Sequence, residues 1–188
     1  VAGFVSCTTL RDKGQDVHSV QMAKELISRD ILVLSMGCGN AALQVGGLCS
    51  TEAKELAGPG LKALCEKLGV PPVLSYGTCT DTGRIADLIG AVSGALGGVP
   101  VPDLPMVAAA PEYMEQKATI DAIFALAFGL YTYVNPVPNV TGGPDLVKLL
   151  TQDLSGVTGG LLNVEKDAGT AADQMLGHIE SNRTKLGL

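Results

Sequence analysis

Three cysteines in this chain each follow a short apolar run that is typical of a buried β-strand. The runs are residues 1–5, 31–34 and 72–74, and the cysteines that come after them are Cys7, Cys38 and Cys79. In parallel α/β sheets, ligands collect outside the carboxyl ends of the strands. Three thiols at three such ends can therefore converge on one point, which predicts a metal site.

A lysine follows a fourth apolar run. Residues 105–110 read as a strand, and residues 111–117 lead from it into a helix. Lys117 is therefore predicted to open a helix at the same edge of the sheet as the three cysteines.

Cysteine thiolate is a soft ligand that suits iron–sulfur clusters, nickel and zinc. Glycines flank two of the three cysteines, in Gly37-Cys38-Gly39 and Gly77-Thr78-Cys79. The missing side chains would let main chain approach an inorganic cluster closely, and the N–H groups of a following helix would face its negative charge. A single zinc ion is the alternative, but it usually takes close pairs such as Cys-x2-Cys, and this sequence has none.

Each of these residues also has a structural interpretation. A lone cysteine at a strand end is more often a small buried hydrophobe than a ligand. Lys117 could extend from a buried stem to solvent. Cys65 falls on the apolar side of a predicted helix and Cys49 in the turn before it, so we interpret both as non-ligands.

Other polar residues near the cysteines have open roles. Asp81 and Arg84 could cap and pair within one helical turn or support Cys79 from behind. Glu112 could cap the helix that follows it or orient Lys117. His18 and His178 lie on predicted helices with polar neighbours and are interpreted as solvated.

Short apolar runs alternate with amphipathic segments along the whole chain. This pattern predicts an α/β fold, a Rossmann-like doubly wound and mainly parallel sheet of about six strands with helices on both faces. The predicted strands are residues 1–6, 31–36, 72–74, 105–110, 130–135 and 160–164. The predicted helices are residues 16–28, 51–68, 82–96, 113–128, 143–151 and 170–186, with a short helix from Ala41.

Composition excludes several classes of protein. The chain has 188 residues, 46% of them hydrophobic, and a formal net charge of −6. Without a basic cluster, neither nucleic acid nor an anionic membrane is an expected partner. No apolar run approaches the roughly 20 residues of a membrane span, and no export signal is visible, so we expect a cytoplasmic protein. Five cysteines without disulfide-like spacing indicate a reducing compartment.

The chain begins with Val1, inside a predicted core strand. We therefore expect residues 1–188 to be a single α/β domain that is an excised or processed portion of a larger polypeptide.

Several motifs make the chain resemble the carboxy-terminal cluster-binding domain of nickel-containing carbon monoxide dehydrogenases, in the superfamily of the prismane or hybrid-cluster proteins. They are Val5-Ser6-Cys7-Thr8-Thr9, Met22-Ala23-Lys24-Glu25-Leu26, Gly37-Cys38-Gly39-Asn40-Ala41-Ala42-Leu43, Gly77-Thr78-Cys79-Thr80-Asp81-Thr82-Gly83-Arg84, Ala110-Pro111-Glu112-Tyr113-Met114-Glu115-Gln116-Lys117-Ala118 and Val140-Thr141-Gly142-Gly143. The resemblance runs nearly from end to end.

The resemblance implies an oxidoreductase that interconverts CO and water with CO2, two protons and two electrons at a nickel–iron–sulfur cluster. It implies Cys7, Cys38 and Cys79 as cluster ligands and Lys117 as the catalytic residue. It also implies that upstream domains supply the other ligands, and that the full enzyme is a homodimer with a ferredoxin-like electron acceptor. The chain alone is then expected to be inactive, with its cluster absent or partial.

Two alternatives stay open. The related hybrid-cluster reductases share the arrangement of cysteines and of a glutamate before a lysine, with different ligand chemistry. A non-catalytic Rossmann-like binding module would hold a nucleotide phosphate, but the sequence has neither Gly-x-Gly-x-x-Gly nor Gly-x4-Gly-Lys-Ser/Thr.

Overall fold

Six parallel strands form one sheet at the centre of the fold. A computed structural model describes residues 1–8, 14–113 and 116–188, the last range without the side chains of residues 116–118. The strands are β1 (Ala2–Ser6), β2 (Val33–Met36), β3 (Val73–Ser75), β4 (Val107–Ala110), β5 (Tyr131–Val134) and β6 (Leu161–Val164). Their order is β3-β2-β1-β4-β5-β6, and every pairing is parallel. The predicted doubly wound α/β fold is confirmed.

Helices connect the strands. They are α1 (Val17–Ser28), α2 (Gly37–Val45), α3 (Pro59–Leu68), α4 (Gly83–Ala95), α5 (Gln116–Ala127), α6 (Pro144–Lys148), α7 (Leu154–Thr158) and α8 (Ala168–Leu186). Short 3-10 turns cover Thr51–Leu56, Cys79–Asp81 and Val101–Asp103. No helix within the described residues is long and apolar enough to cross a membrane.

Alternate side chains of β1, β2, β3 and β4 pack into two separate cores. On β1, Phe4 is fully buried in the larger core with α1, α3 and α8, whereas Val5 packs on the other side of the sheet against α4 and α5. Val33 and Leu34 on β2 divide in the same way. Both faces of the sheet are covered, which explains why the strands read as continuous apolar runs rather than as alternating ones.

The predicted helix over residues 51–68 is wrong as a single element. A 3-10 turn ends at Leu56, and α3 begins separately at Pro59. Asp30, in the left-handed region at φ 62°, accepts a 2.8 Å hydrogen bond from the main-chain N of Leu61 in the first turn of α3. This cap comes from a loop about 30 residues away, so local periodicity gives no sign of it.

Two further boundaries differ from the sequence prediction. The predicted helix over residues 143–151 continues through a π-helical turn at Leu149–Asp153 into α7. Helix α2 begins at Gly37 rather than near Ala41, so Cys38 lies inside its first turn.

Candidate metal-cluster site

The strand order brings the predicted site residues to four neighbouring strands. Cys79 follows β3, Cys38 follows β2, Cys7 follows β1, and the turn after β4 leads into α5. The connections reverse direction between β1 and β4, and in open parallel sheets ligands bind outside the carboxyl ends at this switch point. The four segments therefore share the edge of the sheet at which ligands are expected.

Gly37 is the point at which the three cysteine segments meet. It precedes Cys38, pairs with Ser6 in a parallel bridge, and has φ +74°. A Cβ atom built on it would lie 2.8 Å from Cys79 Sγ and 3.2 Å from the Ser6 carbonyl oxygen. Only a residue without a side chain fits there, because the Cβ would fill the space between these segments.

The three thiols have different environments. Cys7 is buried beside Tyr113, Cys79 is half-buried and Cys38 is exposed. All five cysteines lie in the described part of the chain, and none of them is disulfide-bonded. Within the described residues, no three His, Cys, Asp or Glu side chains come together as the ligands of a single ion would.

This arrangement fits the group that the sequence predicts. The donor set consists of soft thiols, which suit iron and nickel.

Lys117 is the second residue of α5, the helix that comes after β4 in the chain. Its side chain lies outside the described residues. The prediction that a helix opens at this edge is confirmed, whereas the role of Lys117 stays a prediction.

Glu112 caps the first turn of α1. Its side chain is 2% exposed, and Oε2 accepts a 3.1 Å hydrogen bond from the main-chain N of Ser19 and a short one from Ser19 Oγ. Ser19 lies in the first turn of α1, so the carboxylate satisfies an N–H at that helix start. The two roles considered for Glu112 toward the helix that follows it, capping and the orientation of Lys117, stay predictions. Sequence analysis missed Ser19, because its partner is 93 residues away.

Asn40 connects the segments that carry Cys38 and Cys79. Its Oδ1 accepts from Ser35 Oγ at 2.7 Å, and its Nδ2 donates to Ser75 Oγ at 2.9 Å and to the Gly77 carbonyl at 3.2 Å. The N–H of Gly37 donates to the same carbonyl at 3.1 Å. Asn40 stands in one of the motifs, but its role depends on β3 and could not be derived from spacing.

Asp81 caps the turn that contains Cys79. The main chain and hydroxyl of Thr78 donate to it, which lowers the pKa of the Asp81 carboxyl, and Arg84 lies 3.5 Å away. Capping and pairing within one turn, the simpler of the two interpretations, describes this pair.

Cys49 and Cys65 differ from the other cysteines in their surroundings. Burial raises the pKa of both thiols, which favours the protonated form over the thiolate that a metal requires. Cys65 lies in the larger core and Cys49 packs against it, and their interpretation as non-ligands stays a prediction.

The histidines are not solvated as predicted. His18 is 6% exposed, and its Nε2 lies 3.0 Å from Tyr133 Oη. His178 is half-buried with its ring against Tyr131, and burial lowers its pKa. Both side chains face β5. Their polar neighbours in the sequence gave no indication of this burial.

The fold and the cysteine-bearing edge define the chain as a doubly wound α/β domain with a candidate cluster site. A family model described as "Prismane/CO dehydrogenase family" matches residues 1–169. Carbon monoxide dehydrogenase 2 of Methanosarcina mazei is 77% identical over 188 residues, which are 100% of this chain and 30% of that protein. Carbon monoxide dehydrogenase of Archaeoglobus fulgidus is 60% identical with the same coverage.

Two solved structures of carbon monoxide dehydrogenases are also similar to this chain. An as-isolated, nickel-free carbon monoxide dehydrogenase from Thermococcus sp. AM4 is 41% identical, with a TM-score of 0.93 over 99% of this chain and 29% of that one. Carbon monoxide dehydrogenase IV from Carboxydothermus hydrogenoformans is 37% identical, with a TM-score of 0.93 over 100% of this chain and 31% of that one. The chain belongs to the prismane/CO dehydrogenase family. It spans about 30% of the length of the relatives that it matches.

Proposed function

We propose that this chain is the cluster-binding domain of a carbon monoxide dehydrogenase, an oxidoreductase that converts CO and H2O to CO2, two protons and two electrons, and the reverse. The observation that carries the proposal is the Gly37 junction, where main chain next to Cys7 and Cys38 meets the Cys79 thiol. The names of the relatives supply the reaction.

Cys7, Cys38 and Cys79 would hold a nickel–iron–sulfur cluster as thiolates. When bound, the cluster supplies the metal that binds carbon monoxide and the store for the two electrons. The buried Cys7 would anchor it on the protein side, while the exposed Cys38 faces a surface at which upstream domains of the full polypeptide would add further ligands.

Lys117 is the proposed catalytic residue. Its position in the first turn of α5 supports this role, because α5 follows β4 in the chain and the segment after β4 accepts a hydrogen bond from the N–H of Cys7 at the Glu112 carbonyl. An ammonium there would stabilise negative charge on the oxygens of CO2 or pass the protons that the reaction releases. In the full enzyme we propose a cytoplasmic homodimer that passes its electrons to a ferredoxin-like acceptor.

The test uses the full polypeptide that contains this chain, purified without oxygen. Nickel, iron and CO oxidation are measured in the wild type and in Cys38→Ala, Lys117→Ala and Cys49→Ala. The wild type should contain both metals, and Cys38→Ala should lose cluster and activity together. Lys117→Ala should keep the metals and lose activity by about 10²–10⁴-fold, the usual contribution of a proton-transferring group.

Cys49→Ala is the matched control and should keep metals and activity. Iron without nickel in the wild type, with no oxidation of CO, would contradict the proposal and favour a hybrid-cluster reductase.

A further inference from the structure

We propose that Glu112 is a positioning residue for Cys7, through a buried chain of hydrogen bonds that joins the end of β4, the end of β1 and the first turn of α1. The importance of Cys7 rests on the function proposed above. The chain of hydrogen bonds lies within residues of this chain, and its effect on the Cys7 thiol can be measured without metal.

The main chain of Glu112 holds Cys7 directly. The N–H of Cys7 donates to the Glu112 carbonyl at 2.7 Å, which extends the contact between the two strands beyond their last paired residues, Phe4 and Ala109. The thiol packs beside Tyr113, the residue after Glu112. A shift of Glu112 would therefore move both the backbone and the packing surface of Cys7.

The side chain of Glu112 is fixed from a different element. Its Oε2 accepts from the main-chain N and the hydroxyl of Ser19 in α1. A carboxylate is favourable at a helix N-terminus, because the N–H groups there carry partial positive charge. Hydrogen bonds to charged groups are roughly twice as strong as those between neutral groups.

The hydroxyl groups of Ser19 and Ser6 set the donor and acceptor at each step of this chain of hydrogen bonds. Ser19 uses its only hydroxyl hydrogen on the carboxylate, so its oxygen accepts from Ser6 Oγ, which lies 2.8 Å away. Ser6 is the residue before Cys7. The exposed fractions of Ser6, Ser19 and Glu112 are 2%, 0% and 2%, so water cannot readily replace a lost partner. Ser6 Oγ also lies 3.2 Å from the Cys7 carbonyl oxygen and 3.3 Å from the Glu112 carbonyl oxygen, so a shift of the Cys7 segment would disturb several of these contacts at once.

The experiment measures the reactivity of the Cys7 thiol in the metal-free form of the full polypeptide. Wild type, Glu112→Gln, Ser19→Ala and the double variant are pulsed with iodoacetamide, and alkylation of each cysteine is followed by peptide mass spectrometry. Glu112→Gln has nearly the same shape but removes the negative charge and one of the two acceptor oxygens. Cys65, 2% exposed in α3, reports global unfolding in the same samples.

We expect the Cys7 rate to rise about tenfold in both single variants, with the Cys65 rate unchanged. The double variant should exceed the larger single effect by little, because both changes break one chain. Asn182→Ala is the matched control. It removes another buried amide, which donates to the carbonyls of Pro102 and Leu104, and it should leave the Cys7 to Cys65 ratio as in the wild type.

An unchanged Cys7 rate in Glu112→Gln and Ser19→Ala, or a parallel rise at Cys7 and Cys65, would overturn the positioning role. The proposed function is tested separately, by the EPR signal of the cluster and the metal content of the Cys7→Ser variant. A cluster that persists in Cys7→Ser would refute the ligand role of Cys7, while the alkylation rates alone decide whether Glu112 positions it.

Discussion

At the scale of single residues, the candidate site depends on buried polar side chains that are not themselves ligands. Asn40 is 5% exposed and uses both ends of its amide to join β2, β3 and the loop before Cys79. A buried amide whose hydrogen bonds are all made favours one arrangement of the segments it joins. A side chain of the same shape with different donors and acceptors would leave some of its neighbours without a hydrogen bond.

Replacement of Asn40 by aspartate should therefore destabilise the chain. The carboxylate has no N–H for the Gly77 carbonyl and places a charge in a buried position, so we expect a loss of about 1–3 kcal/mol in the free energy of unfolding. Urea denaturation of the chain measures it. Gln44→Glu makes the same chemical change at an exposed position of the same helix and should have little effect. Equal losses in the two variants would contradict the role assigned to Asn40.

At the scale of elements, close backbone contacts set the position of α2 against β1. A Cβ built on Gly39 would lie 2.5 Å from Ser6 Cβ and 3.1 Å from Phe4 Cε1. Real atoms do not approach so closely, so a larger residue must move the helix start that carries Cys38.

Gly39→Ala should accordingly cost about 1–3 kcal/mol of unfolding free energy, the usual range for overpacking. Gly90→Ala is the matched control, because Gly90 lies within α4 with nothing within 4 Å of a built Cβ. Alanine there should stabilise the chain by about 0.5–1 kcal/mol through helix propensity. Thermal or urea unfolding of both variants should give opposite signs; a neutral Gly39→Ala would show that α2 shifts freely.

The loop that ends in Asp30 determines where α3 starts. Asp30→Ala removes the cap on Leu61 N and leaves a Cβ-bearing residue without a polar group at φ 62°. We expect a loss of about 1–2 kcal/mol, the range measured for removed caps. Asp30→Asn keeps an oxygen acceptor and tolerates the left-handed conformation, so it should stay near the wild-type stability in the same urea titration. If asparagine cost as much as alanine, the cap would not be the cause.

At the scale of the whole molecule, α8 links the pH of the solution to stability through His178. Its pKa is lowered from the ordinary value of 6.5, by burial and then by the charge of Lys185. The unfolded chain therefore binds the proton more readily than the folded chain. The contribution of neutral His178 to the free energy of unfolding is fully present above about pH 6.5 and decreases as the pH falls below that value.

His178→Gln removes this titration. Between about pH 7.5 and about pH 5.5, the wild type should lose more unfolding free energy than the variant, since both share all other titrating groups. Urea denaturation at the two pH values provides the comparison. A larger loss in the variant would contradict the direction of the pKa shift.

The strands, most helices, the doubly wound class and the position of three cysteines after strands could be predicted from the sequence, because apolar periodicity and the residues after a strand are local properties. The start of α3 at Pro59, with Asp30 as its cap, became visible only in the folded chain. The same holds for Gly37, where the segments that carry Cys7, Cys38 and Cys79 meet. The partners of Glu112 and Asn40 likewise required the fold. These contacts join residues that lie 31 to 93 positions apart in the chain, and parallel strand order, which spacing along the chain does not encode, brings them together.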